Sequence, residues 1–456
     1  MRGMPMTTSL PDDILHEVHD ALERNAFHQV DDILTDLHPA EIATVLESLP
    51  NRQRDIVWES ESIEESEVLA HLNDAVRVDL MQNMAAEEVA EATKQMDTDD
   101  AVDLLQDLPE TVIEEVLQAV DQQQRDRFTQ ILFYPEDSAG GLMNIDTLTI
   151  RADLTLKIVT RYLRLKKELP EKTDVLMVTN RENYYQGTLS LIDILTHDPE
   201  KTVEQVMSLE QEPILVTESI HDVARVFEQR DLLSAPVVDD KGILLGRITI
   251  DDVVDVIREQ ADHVVMGRAG LGEEDDMFAP ILTTSKQRAV WLGINLGTAF
   301  LAAWVIGLFE AALEQIVALA VLMPIVASMG GIAGSQTLTV VIRGMALGQV
   351  SATNAPWLLR KEVAVGILNG CLWAMVVAGL AILWFKSVSL GMIIGAALLI
   401  NLFFAALAGM LIPLLLKRLS IDPALAGGVI LTTVTDVIGF ASFLGLATVF
   451  LLHTNT

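Results

Sequence analysis

Three scarcities constrain this chain before any motif is considered. Cysteine occurs once, as Cys371 inside an apolar run, so neither a disulfide nor a thiolate metal site can form within one chain. Positive charge is short: 31 Lys and Arg stand against 65 Asp and Glu, a formal net charge of −34. That balance argues strongly against nucleic acid as a partner and points to cations. The N-terminus lacks an apolar run of signal-peptide type, so the soluble part is expected to stay in the cytoplasm.

What is present is unevenly distributed. Only five acids follow Ala279 (Glu310, Glu314, Glu362, Asp422 and Asp436), together with eight bases, so the acidity belongs to the preceding region. After Lys286 come five uncharged runs, Ala289–Phe309, Gln315–Ile342, Val363–Phe385, Ser387–Leu416 and Pro423–Leu452, the last interrupted only by Asp436. Each is long enough to cross a bilayer, which needs about 20 apolar residues. Lys286/Arg288, Arg343/Arg360/Lys361 and Lys417/Arg418 mark the first, third and fifth boundaries. The positive-inside rule therefore puts the N-terminal region in the cytoplasm and the C-terminus outside. Asp436 would lie near the midplane, where an aspartate costs about 2.5–3.5 kcal/mol on insertion scales, so it faces a bundle interior or a wet path. Thr432, Thr433 and Thr435 bring hydroxyls to the same turns. The second run carries Pro324, Gly330, Gly331, Gly334 and Gln336, which suggests a bent helix packed closely on a neighbour or lining a wet cavity.

Upstream, residues 10–130 read as short amphipathic helices. Glu41-Ile-x-x-Val-Leu-x-x-Leu49-Pro50 and Asp100-Ala-x-x-Leu-Leu-x-x-Leu108-Pro109 share one apolar face and a terminating proline, with a weaker copy from Glu88 to Met96. Repeats of this kind stack into a helical superhelix. Its outer face is acidic, with Asp97, Asp99, Asp100 and Asp103 close together. Short buried strands follow, among them Val175–Thr179, Gly187–Ser190, Ala235–Asp239 and Gly242–Thr249. The clearest internal repeat sets Gly187-x-x-Ser190-x-x-Asp193 against Gly246-x-x-Thr249-x-x-Asp252. It resembles a tandem pair of CBS domains. A hydroxyl at a strand end and an aspartate at a helix start suit a ribose and its phosphates, and they are equally ordinary helix caps; both readings stand. A helix should then leave the second repeat, carrying Asp251, Asp252, Asp255, Glu259 and Asp262.

Tyr134-Pro-Glu-Asp-Ser-Ala-Gly140 with Met143, the CBS-like pair, the acidic helix and five spans ending in Thr-Thr-Val-Thr-Asp436 together resemble the MgtE family of magnesium channels. The resemblance implies an acidic helical N-domain (1–133), α/β CBS domains at 134–206 and 207–252, a connecting helix and linker (253–285) and an all-α pore domain of five spans (286–456). It implies a homodimer in the bacterial inner membrane with one pore on its two-fold axis, where Asp436 holds a hydrated Mg²⁺. It also implies sensing of Mg²⁺ by Asp99, Asp100 and Asp103 in the helical domain, by Asp231, Asp252 and Asp255 in and after the second repeat, and by Asp422 before the last span, and it leaves ATP at the CBS domains open, with Ser190, Asp193, Thr249 and Asp252 as the contacts. The chain departs from the family pattern at Gly331-Ile332-Ala-Gly334-Ser-Gln336, where an asparagine is usual at the second position. It departs again at Arg258, Gln260 and His263, where further glutamates are usual.

Mg²⁺ binds through one or two carboxylates and keeps several waters, and a two-fold axis turns one Asp436 per chain into two. The alternative is a proton- or sodium-coupled secondary transporter using Asp436 as its coupling site. No Walker-type loop and no His-Glu-x-x-His motif is present, and no enzyme activity is expected.

Overall fold

The computed structural model describes residues 12–60, 62–94, 96–166, 169–170, 172–267, 269–271, 276–351 and 353–452. The chain divides into two compact units, Met1–Glu259 with Glu274–Pro280, and Gln260–Glu273 with Ile281–Thr456.

Among the described residues the first unit begins with α1 (Asp12–Glu23), α2 (Phe27–Thr35), α3 (Pro39–Glu47), α4 (Asn51–Trp58), α5 (Glu65–His71), α6 (Asp74–Met81), α7 (Ala86–Thr93), α8 (Thr98–Gln106), α9 (Glu110–Ala119) and α10 (Gln122–Leu132). Helices this short do not persist alone in water, so packing of their apolar faces decides the structure. Helix α3 packs on α5, α5 on α7 and α7 on α9, which is the superhelical stacking expected from the repeats. The repeated positions do the same work in each copy: Ile42, Val45, Leu46 and Leu49 in α3 and its exit are buried, as are Ala101, Leu104, Leu105 and Leu108 in and after α8. Pro39 starts α3 at its first turn, and the Glu41 carboxylate accepts the His38 N–H at 2.9 Å.

Two three-stranded sheets follow. The first holds β1 (Thr149–Arg151), β2 (Val175–Thr179) and β3 (Tyr185–Ser190), with α11 (Leu156–Lys166) between β1 and β2 and α12 (Leu191–Thr196) after β3. The second holds β4 (Ile214–Leu215), β5 (Ser234–Val238) and β6 (Leu244–Thr249), with α13 (Ile220–Arg230) after β4 and α14 (Ile250–Gly267) after β6. In both, the first strand runs parallel and the third antiparallel to the middle one. Register is equivalent too: Val175 faces Ser190 as Ser234 faces Thr249. The glycine of each repeat admits a neighbouring backbone, because a Cβ on Gly187 would lie 2.4 Å from Ser208 O and one on Gly246 2.6 Å from Asn144 O.

Core membership does not follow chain order. Ala139 and Met143, which precede β1, are buried with Ile214, Phe227, Val237 and Ile248 in the second repeat. The Ala139 and Gly140 amides donate to Glu218 O (2.7 Å) and Val216 O (3.0 Å), and Asn144 and Arg247 exchange backbone bonds.

The second unit contains α15 (Ile281–Gly307), a short α16 (Glu310–Gln315), α17 (Val317–Ala346), α18 (Ala355–Phe385), α19 (Val388–Arg418) and α20 (Pro423–Ala447), the last continuing into one wider turn over Thr448–Leu452. Five of these helices are long and apolar enough to span a membrane. Helix α19 is central, packing on α17, α18 and α20, whereas α15 packs on α20. Asn401 of α19 is fully buried and donates Nδ2 to Val326 O of α17 at 2.8 Å. Gly330 of α17 and Gly439 of α20 make room for it: a Cβ there would approach its amide nitrogen to 2.2 and 2.7 Å. Small residues at such crossings let membrane helices approach and make interhelical hydrogen bonds possible. Helix α16 had no counterpart in the reading of the sequence. It is a six-residue helix between two spans, too short to show a period.

Candidate cation sites

In the first unit the acids gather at the start of α8. Asp97 precedes the helix and Asp99 and Asp100 occupy its first turn; one carboxylate oxygen from each lies within 4.8 Å of the others. Acids are favoured at a helix N-terminus, but here burial and repulsion dominate. Burial, then Asp252, Asp100 and Asp97, push Asp99 well above the usual carboxylate range. Asp100 is pushed up to about 6, by burial first and then by Asp97. Asp252, in the first turn of α14, is pushed up to about 7 by burial and by Asp251. The helical region and the second repeat thus meet across a surplus of half-buried negative charge. Hard oxygen donors in that number suit a hydrated divalent cation, which would relieve the repulsion. Asn144 Nδ2 donates to Asp99 Oδ1 at 2.8 Å and steadies that carboxylate.

The other nominated acids have different surroundings. Asp103 accepts from Arg77 Nη2 at 3.1 Å, and the same guanidinium binds Asp107 at 2.5 Å and Asp74 at 2.7 Å. Burial pushes Asp107 up to about 7 even though Arg77 opposes it. Asp255 is raised by burial, against the nearby charge of Arg258. Asp231 ends α13 in the left-handed conformation (φ 51°) and is exposed. Ser190 accepts the Ile192 amide at 3.1 Å, and Asp193 lies 3.6 Å from His197. Asp252 accepts from the Thr249 amide (3.3 Å) and hydroxyl (3.0 Å). Each hydroxyl–acid pair therefore makes capping bonds in this structure.

In the second unit Asp422 caps α20, accepting the Ala424 and Leu425 amides at 2.9 and 3.1 Å, and its Oδ2 also lies 2.9 Å from His263 Nε2. Asp436 is half-buried on α20. One turn earlier on the same face, Thr432 opens onto a groove of about 580 Å³ shared with Gly331, Ile332, Ser335, Gln336 and Thr339 of α17. The Thr432, Thr433 and Thr435 hydroxyls donate to carbonyls of their own helix, at 2.9 Å to Gly428 O, 2.7 Å to Val429 O and 3.0 Å to Thr432 O. The Thr432 oxygen, on the groove, keeps acceptor capacity for a hydrated cation, whereas Thr435 is fully buried. Ile332 and Val340 make part of the groove wall apolar, beside the polar Ser335, Gln336, Thr339 and Thr432. Glu362 was only counted among the acids of the sequence and given no role. It is buried within α18, where it accepts from Thr337 at 3.3 Å and pairs with Lys361 at 3.2 Å.

Five apolar spans, with an acid and a row of hydroxyls in the last, joined to an acidic portion with two α/β repeats, define a multi-pass membrane protein with a CBS-type module. Comparison with known proteins narrows this. Residues 323–446 match the MgtE model, described as a divalent cation transporter; 37–137 match the MgtE intracellular N domain; and 203–259 match the CBS domain. The chain is 27% identical over 420 residues to the magnesium transporter MgtE of Bacillus subtilis, covering 92% of this chain and 93% of that one. It is 27% identical over 436 residues to the magnesium transporter MgtE of Thermus thermophilus, covering 94% and 97%. It also resembles a crystal structure of the cytosolic domain of the Mg²⁺ channel MgtE in complex with ATP, at 26% identity, 53% of this chain, 99% of that chain and a TM-score of 0.49. The chain belongs to the MgtE family.

Proposed function

We propose that the protein is a Mg²⁺-selective, channel-like transporter that admits Mg²⁺ through the membrane and is gated by Mg²⁺ at its acidic cytoplasmic portion. The observation that carries the reading is Asp436 one turn from Thr432, which opens with Ser335, Gln336 and Thr339 onto one groove between α17 and α20. Mg²⁺ is the cargo: the Asp436 carboxylate and the groove hydroxyls of Thr432, Ser335 and Thr339 can hold it through its water shell without stripping it. In a homodimer whose axis passes along this face, two Asp436 side chains serve one path. The N-terminal region is then cytoplasmic and the C-terminus outside, as the flanking bases require.

Gating follows from the charge surplus around Asp97, Asp99, Asp100 and Asp252. A bound divalent cation holds the helical region and the second repeat together, and its loss leaves half-buried like charges that drive them apart. The divisions at 133/134, 206/207, 252/253 and 285/286 separate sensing, coupling and transporting parts. Asp103, Asp231, Asp255 and Asp422 belong to the sensing set as secondary ligands, with Asp103 already sharing Arg77 and Asp422 already in contact with His263. Ser190 and Thr249 stay available to an adenine nucleotide only if their capping bonds are shared with it.

The test is Mg²⁺ flux into liposomes with and without a pH gradient. Flux is expected to be independent of the gradient and to be abolished or strongly reduced in Asp436→Ala, with the variant still folded. Wild-type flux from folded Asp436→Ala removes the pore assignment. A second reading, coupled secondary transport, is favoured by Glu362, another carboxylate buried in the span region. Acceleration of flux by the pH gradient would select it.

A further inference from the structure

Lys172 brings a positive charge to the acidic seam. Lys172 lies in the loop before β2 in a left-handed conformation (φ 54°), with its ammonium bonded to Asp251 Oδ2. Its charge also acts on Asp100, Asp252 and Asp255. Asp251 stands next to Asp252 in the first turn of α14, so the bond brings the ammonium to the cluster itself. Its second oxygen, Oδ1, is buried without a hydrogen-bond partner in the structure, so the carboxylate is only half satisfied. The lysine side chain is about half exposed and sits on a flexible stem, so it can leave without disturbing a core.

We propose that Lys172 is a resident counter-ion of the divalent-cation site, a tethered ammonium that occupies part of the field a metal would neutralise and so sets the concentration at which Mg²⁺ takes over. This rests on reading the Asp97, Asp99, Asp100 and Asp252 cluster as a Mg²⁺ sensor. The ammonium is a single charge, and a divalent ion entering the seam meets both its repulsion and its hold on Asp251. Removing the lysine lifts the repulsion and frees one more carboxylate, and both changes tighten metal binding. A unit charge against a doubly charged ion across several ångströms of partly wet protein corresponds to about a threefold to tenfold change in affinity. The lysine therefore weakens the sensor and places its response at higher Mg²⁺.

The experiment is hydrogen–deuterium exchange of the full-length protein in nanodiscs across a Mg²⁺ titration, reading the peptides that cover residues 97–103 and 249–256. Lys172→Met removes the charge and Lys172→Arg keeps it; neither replacement is better suited than lysine to the left-handed backbone, so strain there is held constant. Expected is a protection midpoint about threefold to tenfold lower in Lys172→Met than in wild type, with Lys172→Arg close to wild type. A wild-type response with an unmoved Lys172→Met midpoint overturns the counter-ion role alone. Absence of any Mg²⁺-dependent protection in the wild type overturns the sensor reading and the proposal with it. A midpoint shifted equally by Lys172→Met and Lys172→Arg also overturns the proposal, because the effect would then follow shape rather than charge.

Discussion

The pairing of Arg54 with Asp276 makes a quantitative demand. The Arg54 side chain is fully buried, that of Asp276 is 10% exposed, and they meet at 2.9 Å across 222 residues of chain. Asp276→Asn preserves the volume and one acceptor oxygen and deletes the charge. Breaking a buried ion pair by removing one partner costs about 3–5 kcal/mol. Arg54 is not abandoned, however. Its Nε and Nη2 still donate to Leu46 O and Leu49 O, both at 3.1 Å, and Nη1 reaches Asp79 at 3.5 Å. The retained bonds reduce the expected loss to about 1–2 kcal/mol. A loss of that size raises local opening by a factor of about 5–30. Hydrogen exchange on the full-length protein should therefore accelerate by that factor in peptides covering 46–58 and 276–280, with β4, β5 and β6 unchanged. Exchange within about twofold of wild type would show that the carbonyls alone satisfy Arg54 and that Asp276 does not anchor the segment leading to α15.

Three further outcomes follow from the same structure. Asp100 and Asp252 have pKa values raised to about 6 and about 7, so the stability gained by protonating them is fully present below the ordinary 3.8 and is lost as pH rises through those two values. In Mg²⁺-free buffer, protection of residues 97–103 should thus rise from pH 8 to pH 5, and Mg²⁺ should flatten that dependence. Gly330→Ala puts a methyl group 2.2 Å from the Asn401 amide nitrogen and should destabilise the membrane unit by about 1–3 kcal/mol, seen as a lower melting temperature in detergent. His263→Glu replaces the partner of Asp422 with a like charge and should make protease protection of the segment around 260–267 more steeply dependent on Mg²⁺; an unchanged titration would place the ion's action elsewhere.

Much of the architecture was legible because periodicity carries it. The Ile42/Val45/Leu46 and Ala101/Leu104/Leu105 faces, the repeated Gly-x-x-hydroxyl-x-x-Asp and the five apolar runs each state their element within one continuous stretch of chain. The site was legible only in outline. The run of aspartates near residue 100 advertised negative charge, yet its meeting with Asp252 and the intrusion of Lys172 depend on contacts spanning tens to more than a hundred residues. Asp103 shows the limit of grouping by sequence proximity, since Arg77, from another helix, takes it as a partner. Arg54 and Glu362 were hidden for a related reason: a charged residue is normally read as exposed, and burial reverses that only when distant partners are known.

The placement of residues 134–146 has a consequence for how the chain is assembled. Ala139, Met143 and the backbone of Asn144 complete the second repeat, so the whole first repeat is threaded between two parts of the second. During synthesis the segment emerges roughly 70 residues before β4 and must wait, with its apolar side chains uncovered, until β6 and α14 have followed. The first repeat, completed meanwhile, shortens the loop that must be closed and lowers its entropic cost. The second repeat is thus a discontinuous folding unit. A fragment beginning at residue 207 carries every one of its strands and still lacks part of its interior.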